Sequence, residues 1–478
     1  MALLGGAALA VSAAGAQADD LEALKAQIEE LNTRMAAMEV APSVPAGYQL
    51  LAISEGEMPK VPGLDDSPAD RRSWGNKATV ISVLPTADAP AGTVIAWSGQ
   101  VRAGLVYTES SGDLKIKFSS YDDADSIGID PDDLKFSEDG AEFRASRDSD
   151  DLDILAQARL RVVGTTDTAV GEVGVRLELR GNFNGNGGAD AYFNEAWGWW
   201  AMTPELTFGG GYTASLGDIG YGYDGACSCY WIDNADLAFN PGDTTQFRLS
   251  YASGPFAMAV ALEDAGRQGR FGDGDDNDGR NSDKLGVAGE VKYSGDMFSG
   301  EISGVWRGVE EDDYFDVDTN WQVGAGVGFE FGIMGLSIAA ALGEGPTSAF
   351  DDGDLTSETS FNNNWWGVTA LASFKLTDEI HAEIAGGYKN REGDGFSISP
   401  GDGDVWDTNG FEYETYGIMG GLYYTPVDQL TIGLEGEWFT TSSELKLSEE
   451  VYDSERDTVT IEADVDTFVA AFVGVWRF

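Results

Sequence analysis

The chain has 478 residues, with 29 Lys and Arg against 82 Asp and Glu, which gives a net charge of −53. This acidic excess excludes nucleic-acid binding, because phosphate contacts need a basic face. A hydrophobic content of 42% excludes a disordered acidic tail, and one His with two Cys leaves little material for a zinc site or a histidine-based triad.

Residues 1–18 are uncharged and rich in Gly and Ala, and they end in Ala16-Gln17-Ala18. An apolar stretch followed by a small-x-small site predicts a cleaved secretory signal peptide. The alternative is an N-terminal anchor helix, which the shortness of the run disfavours. We therefore expect an exported protein.

Residues 19–40 carry an apolar seam with spacings of three and four: Leu21, Leu24, Ile28, Leu31, Met35 and Met38. This spacing predicts a short α-helical coiled coil. Three heptads are marginal in water, so another element must bring the copies together. A single amphipathic helix on a domain surface is the alternative. Residues 41–92 hold several prolines and little periodicity, which predicts a periplasmic linker with one short strand over Ala78 to Leu84.

From about Thr93 to Phe478 the pattern has period two, with charged residues on one face and apolar residues on the other. Residues 171–180 illustrate it, since Val173, Val175, Leu177 and Leu179 alternate with Glu172, Arg176, Glu178 and Arg180. A soluble sandwich would point its polar face to bulk water and its apolar face to a second sheet. Aromatic residues near the ends of the apolar faces favour a membrane barrel with lipid outside and water inside.

Seven short turns alternate with eight longer acidic connections along this region. The longer connections are expected near 109–151, 183–190, 215–243, 265–282, 308–316, 345–361, 392–410 and 442–464. With both chain ends on the short-turn side, this alternation predicts about 16 strands, an even number typical of bacterial barrels. The predicted fold is therefore all-β, a transmembrane antiparallel β-barrel over 93–478 with a short N-terminal coiled coil, and such a barrel leaves an aqueous channel.

Three segments, Gly99 to Tyr107, Gly171 to Phe183 and Phe193 to Asp218, resemble the early strands of alphaproteobacterial trimeric general porins. The ending FVGVWRF, with Phe478 last, is similar to the strand signal that outer-membrane barrels present to their assembly machinery. The resemblance implies a homotrimer in the Gram-negative outer membrane, in contact with lipid and lipopolysaccharide. It also implies passive diffusion of small hydrophilic solutes, and a third loop, 215–243, folded into the pore as a constriction. Porins with N-terminal periplasmic coiled coils are known, which fits residues 19–40.

The resemblance assigns candidate residues to that constriction. Acidic side chains of the third loop would lie on one side: Asp218, Asp224, Asp233 and Asp236. Inward-facing arginines would form the opposing wall: Arg102, Arg159, Arg161, Arg176 and Arg180. Such a transverse field orients dipolar solutes and discourages apolar ones. The alternative is that the arginines satisfy inward carboxylates such as Glu172 and Glu178.

Cys227 and Cys229 lie in the third loop, and in an exported protein so close a pair is expected to form a disulfide. A metal site would need more ligands than the distant His381 provides. An acidic run in the next long connection contains candidate Ca²⁺ ligands: Asp273, Asp275, Asn277 and Asp278. The run is out of register for an EF-hand, and a solvated, self-repelling loop is the default interpretation.

The composition and pattern predict an outer-membrane channel that prefers cations, because net negative charge around an aqueous path concentrates cations. We expect no cofactor. An outer-membrane enzyme would need a base beside a nucleophile, and His381 has no recognisable partner motif, so we expect no enzyme. A structural tether to the cell wall, with the barrel mainly an anchor, is the remaining alternative.

Overall fold

The computed structural model describes residues 50–64, 74, 77–84, 92–118, 135–137, 140–183, 189–223, 229–232, 237–264, 285–307, 320–345, 363–393, 397–398, 406–449 and 458–478. The predicted signal peptide and coiled coil, residues 1–40, lie outside these ranges. Within them, no helix is long and apolar enough to cross a membrane. Residues 54–80 and 94–478 form one compact unit, to which every contact discussed below belongs, and residues 1–53 with 81–93 form another.

The described part of the chain contains twenty β-strands, numbered in chain order. Their bounds are β1 Leu50–Glu57, β2 Lys77–Leu84, β3 Thr93–Phe118, β4 Lys135–Ser137, β5 Gly140–Thr168, β6 Gly171–Phe183, β7 Ala189–Ala201, β8 Leu206–Ala214, β9 Asp243–Ser253, β10 Phe256–Asp264, β11 Leu285–Ser294, β12 Phe298–Trp306, β13 Trp321–Glu330, β14 Met334–Glu344, β15 Asn363–Lys375, β16 Ile380–Gly393, β17 Ser397–Ile398, β18 Trp406–Val427, β19 Leu430–Glu449 and β20 Thr458–Arg477. Strand β2 matches the short strand expected in the linker.

Sixteen of these strands close into an antiparallel barrel, as the sequence predicts. They are β3, β5 to β16 and β18 to β20, and each pairs with the next along the chain. The ring closes where β20 pairs with β3, from Val459↔Phe118 to Arg477↔Gln100. The backbones of Phe478 and Gly99 exchange two further hydrogen bonds of 3.0 and 3.3 Å. Strands β4 and β17 are short pieces at the ends of their neighbours.

The connections segregate by length to opposite ends of the barrel. Seven short turns lie at one end, here called the turn end: 169–170, 202–205, 254–255, 295–297, 331–333, 376–379 and 428–429. The eight longer connections lie at the other, here called the loop end. The alternation of short and long connections is thus confirmed.

Alternation along the strands places apolar side chains on the outer face, whereas the inner face carries both polar side chains and buried apolar ones such as Val163 and Val473. On β9, Phe247 and Leu249 face outward and are 63% and 43% exposed, whereas Gln246 and Arg248 face inward and are 3% and 6% exposed. A soluble sheet would bury the first pair and expose the second. The outer surface is therefore suited to lipid.

Aromatic rings form two belts on this outer surface. Near the turn end, successive ring centroids lie 5.1, 5.9 and 5.4 Å apart along Phe256, Tyr293, Phe298 and Phe329. Near the loop end, the ring centroids of Trp366 and Tyr388 lie 5.2 Å apart, and those of Tyr416 and Trp438 lie 5.8 Å apart. An apolar band between two aromatic belts is the arrangement of membrane-spanning barrels.

Five neighbouring strands are longer than a membrane crossing requires. Strands β3, β5, β18, β19 and β20 contain 26, 29, 22, 20 and 20 residues, whereas a tilted crossing needs about 9–11. They project past the loop-end belt, where Ile116, Phe118 and Val459 form a small core. The described parts of the predicted loops 109–151 and 442–464 are therefore strand, because polar and charged residues such as Lys115 and Lys117 alternate with apolar ones that pack together.

This projecting sheet also carries a charged cluster. Glu462 on β20 pairs with Lys117 and, at 3.0 Å, with Lys115 on the neighbouring β3. Hydrogen bonds from Lys117 and then Lys115 hold the pKa of the Glu462 carboxyl below its usual value of 4.5. The cluster ties the two strands that close the barrel.

Candidate functional site

The described parts of the connection between β8 and β9, residues 215–223, 229–232 and 237–242, fold into the barrel and are together called the inner loop below. Its described apolar residues pack in succession on different strands of the inner wall. Leu216 packs with Ala261 of β10, Ile219 with Trp365 of β15, and Ile232 with residues of β18, β20 and β3. The inner loop therefore lies against the wall that runs from β10 round to β3.

One buried ion pair fastens both ends of the inner loop. Glu263 of β10 accepts hydrogen bonds from Ser215 Oγ at 2.9 Å and from the Leu216 N–H at 3.1 Å. The same carboxylate pairs with Arg307 at 3.2 Å, and the two side chains are 0% and 3% exposed. Arg307 also donates to the Pro241 carbonyl at 2.9 Å. The start and the end of the loop are thus held by one pair of opposite charges.

A second carboxylate holds the described residues near the loop tip. Glu435 of β19 accepts hydrogen bonds from the N–H groups of Tyr230 at 2.7 Å and Trp231 at 3.0 Å, and from the Tyr423 hydroxyl at 2.8 Å. The neighbouring inward carboxylate, Glu437, accepts a hydrogen bond from the Tyr223 hydroxyl. These glutamates therefore bind protein groups along the loop.

The backbone geometry of the inner loop requires glycine at one position. Gly222 has φ +74°, in the left-handed region, and its N–H donates to Ser337 Oγ at 2.6 Å. A Cβ at this position would lie 2.1 Å from Thr369 Oγ1, which itself accepts from the Tyr223 N–H at 3.1 Å. Only glycine combines this conformation with so close an approach to the wall.

Four of the five predicted arginines lie together on β5 and β6, where inward carboxylates pair with them. Glu178, 1% exposed, accepts from Arg159 at 2.9 Å and Arg161 at 2.8 Å, and also from Arg180 at 2.9 Å. Arg176 pairs with Glu195 of β7 at 2.8 Å. These contacts fit the interpretation in which the arginines satisfy inward carboxylates, through Glu178 and Glu195. Glu172, the other carboxylate considered, accepts a hydrogen bond from Trp199 Nε1 at 3.1 Å.

The fifth arginine, Arg102, lies elsewhere. Its guanidinium carbon is 5.0 Å from the ring centroid of Trp231 and 5.9 Å from that of Tyr230, so it stacks on the inner loop. Asp218, half-buried at the start of that loop, lies near Ser303 of β12, whose hydroxyl donates to the Asp218 carbonyl at 3.4 Å. Strand β12 is on the opposite side of the ring from β5. The other predicted loop carboxylates, Asp224, Asp233 and Asp236, lie outside the described residues.

A segment that precedes the barrel also enters it, which the sequence pattern did not predict. Val61 is 5% exposed and packs with Val163 of β5 and with Trp197 and Trp199 of β7. Its neighbour Gly63 accepts a hydrogen bond from Arg248 at 3.1 Å. These contacts place the segment inside the barrel, on the side of β5 to β9. One signal in the sequence could have indicated that this segment packs in the barrel. Every third residue is apolar at Met58, Val61 and Leu64, and all three pack in this cluster.

The remaining predicted residues fall partly outside the described ranges. Cys229 is disulfide-bonded, and the pairing with Cys227 stays a prediction because Cys227 is not among the described residues. The candidate Ca²⁺ ligands, Asp273, Asp275, Asn277 and Asp278, also lie outside them. Among the described residues, no cluster of His, Cys, Asp and Glu could hold a metal ion.

The geometry defines a closed sixteen-stranded membrane barrel with a loop folded against its inner wall. No protein-family model and no curated protein matches the chain. Similar solved structures include the outer membrane channel DcaP of Acinetobacter baumannii, 14% identical over 83% of this chain and 99% of that one, with a TM-score of 0.43. An anion-selective porin from Comamonas acidovorans is 13% identical over 81% and 100%, with a TM-score of 0.43. OmpF of Salmonella typhi, in complex with daunomycin, is 11% identical over 80% and 98%, with a TM-score of 0.46.

Proposed function

We propose that this protein is an outer-membrane porin through which ions and small hydrophilic solutes diffuse passively. The observation that carries the proposal is a closed ring of sixteen strands with polar side chains inside and an apolar band outside. A ring of this size is too wide for side chains to fill, so it encloses water. The inner loop narrows this water-filled path, because it covers the inner wall that runs from β10 through β20 to β3.

The finer parts of the proposal follow from the sequence. Residues 1–18 export the chain, residues 19–40 form a periplasmic coiled coil, and three copies assemble within outer-membrane lipid and lipopolysaccharide. The terminal strand, ending in Phe478, is read by the barrel assembly machinery. Arg102 and the arginines of β5 and β6 border the constriction on the side opposite Asp218.

We further propose that the channel prefers cations. The whole chain has a net charge of −53, and charge around a narrow aqueous path raises the local concentration of counter-ions. The arginines that oppose this preference are partly neutralised, since Arg159, Arg161 and Arg180 share Glu178. The preference should fade at high salt, because the Debye length falls to about 3 Å near 1 M.

Reconstitution of the full chain tests the proposal. In planar bilayers we expect stepwise conductance, and across a KCl gradient a reversal potential with the sign of cation preference. Liposome swelling with a graded series of neutral sugars should give rates that fall steeply with sugar size. A purified, folded protein that neither conducts nor admits the smallest sugar would reject the channel, and a reversal potential of the opposite sign would reject only the cation preference.

A further inference from the structure

The wall that the arginines occupy is also the wall on which the segment before the barrel packs. We call the described residues 58–64 together with Trp74 the strap. Val61 packs against Val163 and two tryptophans of β7, and the Gly63 carbonyl accepts from Arg248 of β9. The strap is therefore inside the barrel, and it faces the part of the lumen that the inner loop does not occupy.

Trp74 lies directly on the arginine cluster. Its ring centroid is 4.5 Å from the guanidinium carbon of Arg161 and 5.4 Å from that of Arg159, and its side chain is 5% exposed. An indole ring over a guanidinium plane at these distances makes a favourable cation–π contact. Both guanidinium groups thus lie next to an aromatic ring, and Arg159 and Arg161 are only 7% and 4% exposed.

The edges of the same two guanidinium groups are also engaged. Arg161 donates to Glu178 through Nε at 3.2 Å and Nη2 at 2.8 Å, and Arg159 donates through Nε at 3.1 Å. A mobile anion binds arginine best through paired N–H donors at the edge or by approach to the open plane. Glu178 occupies the Nε and Nη2 edge of both groups, and the Trp74 ring lies over their guanidinium carbons.

We infer that Trp74 determines the ion specificity and the effective width of the channel, by covering the guanidinium groups of Arg159 and Arg161 so that permeating anions do not reach them. This inference rests on the proposed channel function and names the residue that sets its selectivity. The protein thus contains a basic wall and an aromatic side chain that separates two of its arginines, Arg159 and Arg161, from the ion path, whereas Arg176 and Arg180 stay uncovered by Trp74.

Substitution of Trp74 tests the inference in the full chain. Trp74→Ala should raise the single-channel conductance and lower the cation-to-anion permeability ratio by about twofold or more, because uncovered charge beside the path changes ion energies by a sizeable part of the thermal energy. Trp74→Phe, which keeps a ring over the cations, should stay close to the wild type. Trp366→Ala is the matched control, since Trp366 is a tryptophan on the outer face, 47% exposed.

Different results would reject the channel function and the role of Trp74. A wild-type protein that does not conduct would reject the channel itself. A conducting wild type with an unchanged permeability ratio in Trp74→Ala would overturn the role of Trp74 and leave the channel standing. A change of equal size in Trp366→Ala would also overturn it, because the effect would then come from the loss of any tryptophan.

A second measurement tests the position of the strap without relying on conduction. In a chain with both native cysteines replaced by Ser, Val61→Cys should react slowly with a bulky water-soluble maleimide, because Val61 is 5% exposed. Ile53→Cys is the control, since Ile53 is 70% exposed and should react fast. Equal reaction rates in the folded protein would show that the strap does not occupy the lumen, and would overturn the inference.

Discussion

Glu263→Gln removes one charge from the pair that fastens both ends of the inner loop. The carboxylate is 0% exposed, accepts from Ser215 and Leu216, and lies 3.2 Å from Arg307, which is 3% exposed. Breaking a buried pair on one side costs roughly 3–5 kcal/mol, because the remaining charge stays desolvated. We expect a loss of this size in the free energy of unfolding, with Arg307 unpaired beside the Pro241 carbonyl.

The assay is a urea titration in phospholipid vesicles, followed by the gel mobility of unheated samples. Glu263→Gln and Arg307→Met should each be strongly destabilising, whereas the double variant should lose clearly less than the sum of the two, because it leaves no unpaired charge. Liposome swelling of the same variants should show faster entry of larger sugars if the loop ends loosen. A change below about 0.5 kcal/mol in the single variants, or strictly additive losses, would refute the anchoring role of the pair.

Three further predictions follow from local contacts. Gly222→Ala should displace the inner loop, because the added Cβ would lie 2.1 Å from Thr369 Oγ1. Liposomes that contain the variant should therefore swell faster in large sugars than liposomes with the wild type, and unchanged swelling rates would contradict this prediction. The lowered pKa of Glu462 means that its stabilisation is present above 4.5 and lost as the pH falls through the folded value. The protection of amides in the projecting sheet against hydrogen exchange, taken relative to the intrinsic exchange rate at each pH, should therefore fall on acidification, and Glu462→Gln should remove that dependence. If Cys227 and Cys229 are bridged, a maleimide should label neither until the protein is reduced and unfolded, and ready labelling of the native protein would reject the bridge.

The barrel could be predicted because two simple patterns determine it. Period-two alternation indicates which side of each strand meets lipid, and the strict alternation of connection lengths indicates the number of strands and the end at which each connection lies. The ends of β3 and β20 were less predictable, because isolated apolar residues such as Ile116 and Val459 lie among charged and polar residues typical of loops.

The interior could be predicted only in part. Alternation along β19 places Glu435 and Glu437 on the inner face of the barrel, but it does not say what covers them. The structure places the inner loop on both, so they bind Tyr230 and Tyr223. The strap could be predicted even less from the sequence, since its contacts join residues 85 or more positions apart, as Trp74 with Arg159. Only Met58, Val61 and Leu64 share a regular spacing.

The lengths of the strand ladders show which part of the wall the strap covers. The ladder between the first and last barrel strands runs from Val459↔Phe118 to Arg477↔Gln100, whereas that between β7 and β8 runs only from Ala196↔Tyr212 to Ala201↔Thr207. Val61 packs on Trp197 and Trp199 of β7, and the Gly63 carbonyl accepts a hydrogen bond from Arg248 of β9. The strap therefore adds contacts to the strands on both sides of β8, where the ladder to β7 is short.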